Sequence, residues 1–203
     1  MFGGNADFEA FLESLAKSKE RYPFRLYGYC LMSNHFHLLL RPERGQSISR
    51  ILQSLTVAHT WRYHQRHRTV GHVWQGRFKS PVVQDDYHLL TVLRYIEANP
   101  YRAGIVADVG EYHWSSYSYH GLGQSNELLS PLPEWEEFGG KAAVERRRWR
   151  ELVHRPMRER ELAALRRSVV SGRPFAEERW VEQIARALGL SLSPRPRGRP
   201  PKR

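Results

Sequence analysis

The chain has 203 residues, 40% of them hydrophobic and 12% aromatic, which suffices for one folded domain with an appendage and excludes wholesale disorder. No run approaches the ~18 to 20 apolar residues of a membrane helix, and the N-terminus lacks a signal-peptide pattern. The single cysteine, Cys30, excludes an internal disulfide framework and any Cys-rich zinc module. We therefore expect a soluble, cytoplasmic protein with no membrane partner.

The net charge of +11 is unevenly distributed along the chain. Residues 1–140 hold 14 basic and 14 acidic side chains, whereas residues 141–203 hold 18 basic and 7 acidic ones. Residues 41–80 form a second basic zone, in which eight Lys or Arg side chains oppose Glu43 alone and aromatic residues are interleaved. Such zones suit a phosphate backbone with stackable bases, although a solvated helix face with a basic tail would have the same composition.

The periodicity of the apolar residues predicts an alternation of helices and strands up to residue 100. Phe8, Phe11 and Leu15 share one helix face, and a short turn at 32–34 separates two apolar segments, as in a hairpin. The predicted elements are helix 6–21, strands 24–31 and 35–41, helix 46–67 and strand 77–84. A further helix follows, with Asp85 or Asp86 as its N-terminal cap, and it ends before Pro100. This order predicts an α+β layer with the helices on one face of an antiparallel sheet.

The character of the chain changes beyond residue 121. A loop-like segment leads to an Arg-rich helical stretch at 141–166, and residues 176–189 have the pattern of one more helix. The last ten residues, PRPRGRPPKR, have four prolines, five cations and nothing to bury, so we expect them to be disordered. We accordingly predict three parts: a domain at 1–121, a basic helical extension at 122–193 and a basic tail at 194–203.

Two histidines stand in an otherwise apolar predicted strand. Because side chains alternate along a strand, His35 and His37 share one face and lie ~6 to 7 Å apart. Two imidazoles at this spacing can converge on one divalent ion. A pair of partly buried, hydrogen-bonded histidines would show the same pattern, so the strand alone leaves both interpretations open.

The helix before Pro100 carries a polar face beside its apolar stripe. Tyr95 and Asn99 are one turn apart on it, so that a phenol and an amide oxygen can face the same point. An amide oxygen and two imidazoles leave coordination positions open, as a catalytic metal requires. A metal beside a phosphodiester can polarise it, and a tyrosine oxygen can attack the phosphorus. By itself, however, Tyr95 also fits an ordinary core or surface tyrosine.

Three segments, in this order, resemble the motifs of the REP-associated tyrosine transposases, which are single-tyrosine HUH transposases of small insertion sequences. Residues 28–42, GYCLMSNHFHLLLRP, resemble the HUH signature, and residues 74–80, WQGRFKS, resemble the segment that follows it. Residues 94–106, RYIEANPYRAGIV, resemble the tyrosine helix, and residues 113–117, HWSSY, its usual sequel. The resemblance covers roughly residues 6–120 and returns at Gly172-Arg-Pro, at the last predicted helix and in the tail.

This resemblance implies a ferredoxin-like fold and a site in which His35, His37 and Asn99 bind Mg²⁺ or Mn²⁺. It implies that Tyr95 is the nucleophile, which becomes linked to a DNA 5′-phosphate and releases a free 3′-OH. The implied partner is single-stranded DNA next to short palindromic hairpins, and the implied setting is the nucleoid. The protein would be a metal-dependent tyrosine transposase that works as a monomer or a homodimer.

The basic zones supply candidate DNA-binding residues. Arg197-Gly198-Arg199-Pro200 resembles an AT-hook, which lies extended in a narrow A·T minor groove, although a merely electrostatic tail is an equal alternative. The candidates are Arg62, Arg66, Arg68, Arg77, Lys79, Arg102, Arg195, Arg197 and Arg199.

Two further functions stay open at this point. One is a domesticated or inactive protein that binds hairpin DNA without cutting it, which would share every basic residue and differ only at the four site positions. The other is a small-molecule metallohydrolase, which the +11 charge and the lack of further metal-spaced carboxylates argue against. The four site residues together favour the enzyme that acts on DNA.

The predicted sheet is one strand short. A ferredoxin-like sheet normally has four strands, and we find only three before the tyrosine helix. In the resembling family a further strand precedes the first helix, beside the strand with the histidines. We expect either that the true start lies upstream or that the chain is a truncated remnant, which would be inactive.

Overall fold

The computed structural model describes residues 1–84, 87–132 and 142–187 of the chain. Two predictions fall outside these residues. They are the helix cap at Asp85 or Asp86, and the tail 194–203 with Arg195, Arg197 and Arg199.

The described elements confirm the α+β class. In chain order they are α1 (Asn5–Arg21), β1 (Phe24–Met32), β2 (His35–Pro42), α2 (Ile48–His67), α3 (Tyr87–Glu97), α4 (Asn99–Arg102), a 3-10 turn (Val109–Glu111), α5 (Tyr117–His120), α6 (Ala142–His154), α7 (Glu159–Ser171) and α8 (Glu178–Ala187).

These elements belong to two compact units. The first consists of Met1–Phe78 and the described residues of Thr91–Pro156. The second consists of the described residues within Lys79–Leu90 and Met157–Arg203. The helix α6 is therefore part of the unit that holds the sheet, while the predicted domain boundaries at residues 121 and 193 stay predictions.

The sheet of the first unit is the predicted hairpin of β1 and β2. The strands pair antiparallel from Phe24 opposite Pro42 to Met32 opposite His35, with a shift of register between Leu26 and Gly28. The other side of β1 bonds to a later segment: Leu31 N donates to Trp114 O at 2.8 Å, and Ser116 N donates to Tyr29 O at 2.9 Å. As a result β1 is central, and in the described part of the chain β2 is an edge strand that pairs with β1 alone.

The predicted strand 77–84 does not join this sheet, and that expectation was wrong. Its one ladder contact is an isolated parallel bridge between Val83 and Phe175, and Phe175 N donates to Val82 O at 2.7 Å within the second unit. Pro81 has no N–H to give to a ladder, which explains why the segment makes only this short contact. Among the described residues the sheet therefore has two strands, and a strand that precedes α1 stays a prediction.

Helices pack against both faces of the hairpin, so the expectation of one helical face was wrong. On one face α1 and α2 close the main core, where Phe11, Leu15, Leu31 and Leu55 have no exposed surface. The alternation of β2 directs Phe36 into this core, with its ring 4.9 Å from that of Phe11. The opposite face of the hairpin receives α3.

Gly28 permits the close approach of α3 to the sheet. A Cβ atom at this position would lie 2.3 Å from Leu93 Cδ1, well inside van der Waals contact. Leu93 itself is completely buried. The helix that carries Tyr95 is thus seated directly on the backbone of β1, next to the strand with the two histidines.

The basic helical stretch predicted at 141–166 is divided into α6 and α7. The break contains Pro156, which cannot donate a helical hydrogen bond and restricts the residue before it. The helix α7 ends at Gly172 in the left-handed conformation, with φ of 73°. The last predicted helix is confirmed as α8, which begins two residues later than expected. None of the described helices is both long and apolar enough to cross a membrane.

Candidate functional site

The two histidines of β2 lie together on the face of the sheet that α3 covers. Their rings are 4.9 Å apart and nearly perpendicular. His35 Nδ1 lies 2.6 Å from Asn34 Oδ1, and because an amide oxygen can only accept, the histidine donates from Nδ1 and keeps a free lone pair on Nε2. This is the arrangement in which an imidazole binds a metal.

Burial keeps both imidazoles neutral. Desolvation lowers the pKa of His35, and it lowers the pKa of His37 to about 4, where the neighbouring His35 and the Arg102 guanidinium further disfavour a second positive charge. At neutral pH both rings are therefore unprotonated and have a lone pair to offer to a cation or to a proton.

Tyr95 reaches the histidines from α3. Its ring centroid is 5.8 Å from that of His37, in an edge-to-face geometry. The guanidinium of Arg102 lies over the Tyr95 ring, 4.1 Å from its centroid. Arg102 Nη2 also donates a hydrogen bond to the backbone oxygen of Tyr95 at 2.9 Å. The contact of Arg102 with the ring and its hydrogen bond to the tyrosine backbone together restrain Tyr95.

Asn99 begins α4, directly after the tyrosine helix. Its Nδ2 is buried and has no hydrogen-bond partner among the described residues. A buried amide without a partner is costly, and turning the amide by half a rotation would place the oxygen, an acceptable ligand for a hard cation, at the same point. By their chemistry, two neutral imidazoles and an amide oxygen are ligands that suit Mg²⁺ or Mn²⁺. In the described part of the chain no three His, Cys, Asp or Glu side chains cluster as metal ligands.

The predicted DNA-binding residues are in different environments. Arg62 donates to Ala10 O and Glu13, and Arg66 forms an ion pair of 2.7 Å with the buried Asp7, so both brace α1 against α2. Arg68 and Arg77 are exposed in the first unit. Lys79, in the second unit, donates to Val170 O at 3.3 Å. Among these described candidates, Arg102 is the one whose contact with the candidate site is seen, at the ring and carbonyl oxygen of Tyr95.

Sequence reasoning missed two relationships. Arg102 was predicted as a DNA contact, but its contact with the ring of Tyr95 was not foreseen. Glu97 was not singled out at all, although it is fully buried and binds three side chains. The available signal was a carboxylate on an otherwise apolar helix face, which is seldom buried without partners.

Three comparisons relate the chain to known proteins. Residues 2–99 match the family described as Transposase IS200 like. A curated protein of Haemophilus influenzae that carries the name of a REP-associated tyrosine transposase is 29% identical over 118 residues. The match covers 53% of this chain and 66% of that protein, just under two thirds of its length.

A solved structure resembles the fold. It is described as a REP-associated tyrosine transposase bound to a REP hairpin, and the match has a TM-score of 0.52 with 19% sequence identity. It covers 63% of this chain and 73% of that one. The likeness is therefore one of fold, over about two thirds of this chain.

Proposed function

We propose that the protein is an endonuclease and strand transferase that acts on single-stranded DNA beside hairpins, a proposal supported by the match of residues 2–99 to the family described as Transposase IS200 like. The observation that carries the proposal is the alignment of three rings in one site: His35 and His37 at 4.9 Å, and His37 and Tyr95 at 5.8 Å. A site with a tyrosine nucleophile beside two neutral imidazoles contains the groups that phosphoryl transfer to a tyrosine requires.

In the proposed reaction the Tyr95 oxygen attacks the phosphorus of a phosphodiester. The phenol gives its proton to water, a bond forms between the phenol oxygen and phosphorus, and the bond from phosphorus to the 3′ oxygen breaks. The products are a 5′-phosphotyrosine and a 3′-OH, which takes up a proton as it leaves. Reversal with a different 3′-OH rejoins the strand, so that no energy source is needed.

His35, His37 and Asn99 would hold a divalent ion, Mg²⁺ or Mn²⁺. When bound, such an ion supplies a positive charge that polarises the phosphodiester. The chain's own residues orient the nucleophile: Arg102 restrains the ring of Tyr95, and its charge favours an anionic phosphate nearby.

The proposed substrate is suggested by the related solved structure, whose protein is bound to a REP hairpin. Exposed cations on this chain, such as Arg68 and Arg77, are suited to the phosphates of a hairpin. The basic tail would add further phosphate contacts.

A covalent adduct is the decisive test. The protein is incubated with Mn²⁺ and a pool of labelled single-stranded hairpin oligonucleotides with randomised flanks, and adducts are separated on a denaturing gel. Wild type and the control Tyr22→Phe are expected to form the adduct, whereas Tyr95→Phe is expected to form none and to keep its hairpin affinity within about twofold.

The alternative outcomes are equally clear. Hairpin binding without an adduct in the wild type would favour a domesticated binding protein that does not cut. An adduct that persists in Tyr95→Phe would show that another residue is the nucleophile.

A further inference from the structure

A buried polar network surrounds the C-terminal end of the tyrosine helix. At its centre is Glu97, the last residue of α3, which has no exposed surface. Glu97 Oε1 accepts a hydrogen bond from Ser116 Oγ at 2.5 Å and lies 2.6 Å from His120 Nδ1. Glu97 Oε2 accepts from Trp149 Nε1 at 2.7 Å. One carboxylate thus joins two side chains of the segment around α5 to one side chain of α6.

These partners are themselves firmly held. Ser116 and His120 have no exposed surface, and Trp149 has 3%. Ser116 is bound to the central strand twice, since its N donates to Tyr29 O at 2.9 Å and its Oγ accepts from Tyr29 N at 3.1 Å. The carboxylate of Glu97 therefore links the end of α3 to β1 and, through Trp149, to α6.

A second contact ties the same helix to the segment after α6. Arg94, which is 8% exposed, donates from Nη2 to Arg155 O at 2.6 Å. Arg94 and Glu97 are three residues apart and so lie on one face of α3. Tyr95 is rotated from them by about 100° and 160°, because each residue turns an α-helix by about 100°.

The two buried anchors of α3 thus lie on a different side of the helix from the candidate nucleophile, and Glu97 lies nearly opposite it. A helix held by Arg94 and Glu97 cannot rotate about its axis without breaking these hydrogen bonds, and those of Glu97 go to buried side chains, so that rotation is unfavourable. Its rotational register decides whether the Tyr95 ring faces His37, because a change of one residue would turn the ring by about 100°.

We propose that Glu97 is a positioning residue and that α6, through Trp149, is part of the scaffold that aims Tyr95 at the histidines. This inference rests on the proposed function of Tyr95 as a nucleophile. It gives the helix α6, which lies outside the matched residues 2–99, a role in catalysis without any contact with the substrate.

Two variants test the proposal. Trp149→Phe removes one N–H donor and keeps an aromatic ring in the core, and Glu97→Gln removes the charge at nearly constant volume. Their matched controls are Trp180→Phe, in the second unit, and Glu127→Gln, an exposed carboxylate of the first unit. Adduct formation is measured with Mn²⁺ and the oligonucleotide that the wild type cleaves from the hairpin pool.

If the proposal is right, kcat falls at least about tenfold in both variants, because a nucleophile displaced by a fraction of an ångström reacts slowly. KM and hairpin affinity stay within about twofold of the wild type, and both controls behave as wild type. A loss of stability alone would not divide kcat from KM in this way. Wild-type kcat in both folded variants would overturn the proposal, and should Glu97→Gln fail to fold, Trp149→Phe decides.

A second measurement does not depend on cleavage. Ring protons of His37 and Tyr95 are close enough in the structure to give a nuclear Overhauser contact. We expect this contact in the wild type and in Trp180→Phe, and its loss in Trp149→Phe while the melt remains cooperative. If the wild type forms no adduct, the proposed function fails, and retention of the contact in Trp149→Phe then overturns the positioning role separately.

Discussion

The residues of the candidate metal site are expected to contribute unequally to its affinity for a divalent cation. His35 and His37 offer neutral nitrogen ligands, whereas Asn99 offers one neutral oxygen that water can replace. We expect His35→Ala or His37→Ala to weaken Mn²⁺ binding more than about tenfold, and Asn99→Ala to weaken it less. Titration calorimetry measures this, with the exposed His72→Ala as the control. Equal Mn²⁺ affinity in wild type and His35→Ala would eliminate the metal site.

A second residue, Asp7, makes the stability of the first unit depend on pH. This buried carboxylate accepts a hydrogen bond from Gly3 N at 2.7 Å and pairs with Arg66 at 2.7 Å and His67 at 2.8 Å. Burial alone would raise the pKa of Asp7, but these hydrogen bonds outweigh it and hold the pKa below its ordinary value. Since the folded-state pKa is the lower one, the stabilisation is present above the ordinary pKa of about 4 and is lost as the pH falls below it.

Asp7→Asn is expected to lower the free energy of unfolding at pH 7 by about 2 kcal/mol, because the partners of the carboxylate lose their charge complement. The same change should flatten the decline of stability between pH 5 and pH 3, since the titrating group is gone. Urea unfolding across this range provides the measurement, and the exposed Glu9→Gln is the control. An unchanged pH dependence in Asp7→Asn would contradict the assignment.

At the scale of elements, the seating of α3 on β1 depends on the absence of a side chain. A methyl group at Gly28 would lie 2.3 Å from Leu93 Cδ1, so that the helix or the strand must move. We expect Gly28→Ala to cost about 1 to 3 kcal/mol of stability by overpacking and to slow adduct formation by shifting Tyr95. Thermal melting and the adduct assay measure the two effects. Gly4→Ala, where the added Cβ meets nothing within 4 Å, should change neither.

At the scale of the whole molecule, the charge excess lies in the last third of the chain, and the tail 194–203 carries a large share of it. We predict that removing the tail reduces the salt dependence of duplex binding by up to ~4 to 5 phosphate equivalents. Filter binding over a series of salt concentrations measures the slope. A larger loss of affinity on A·T-rich than on G·C-rich duplexes would support the AT-hook, and an identical loss would leave a purely electrostatic tail.

The local patterns of the sequence determined most of the helices, the hairpin and the faces on which the candidate site residues lie. The amphipathic period of α1 and α2, the hairpin turn at 33–34 and the alternation of β2 are set by neighbours within a few residues, so they were predictable. The same alternation put His35 and His37 on one face, and the helical period put Tyr95 near the end of α3. The chemistry of the candidate site could therefore be derived from short segments.

Only the tertiary structure decided how these segments pair and pack with one another. The pairing of β1 with 114–116, the isolation of 77–84 from the sheet and the packing of α3 on the opposite face all join residues far apart in sequence, where no local period applies. The roles of charged residues were decided in the same way, because a carboxylate such as Glu97 is buried only when donors from other elements surround it. Sequence period sets which way a side chain points along its own element, but burial and partners depend on which elements meet.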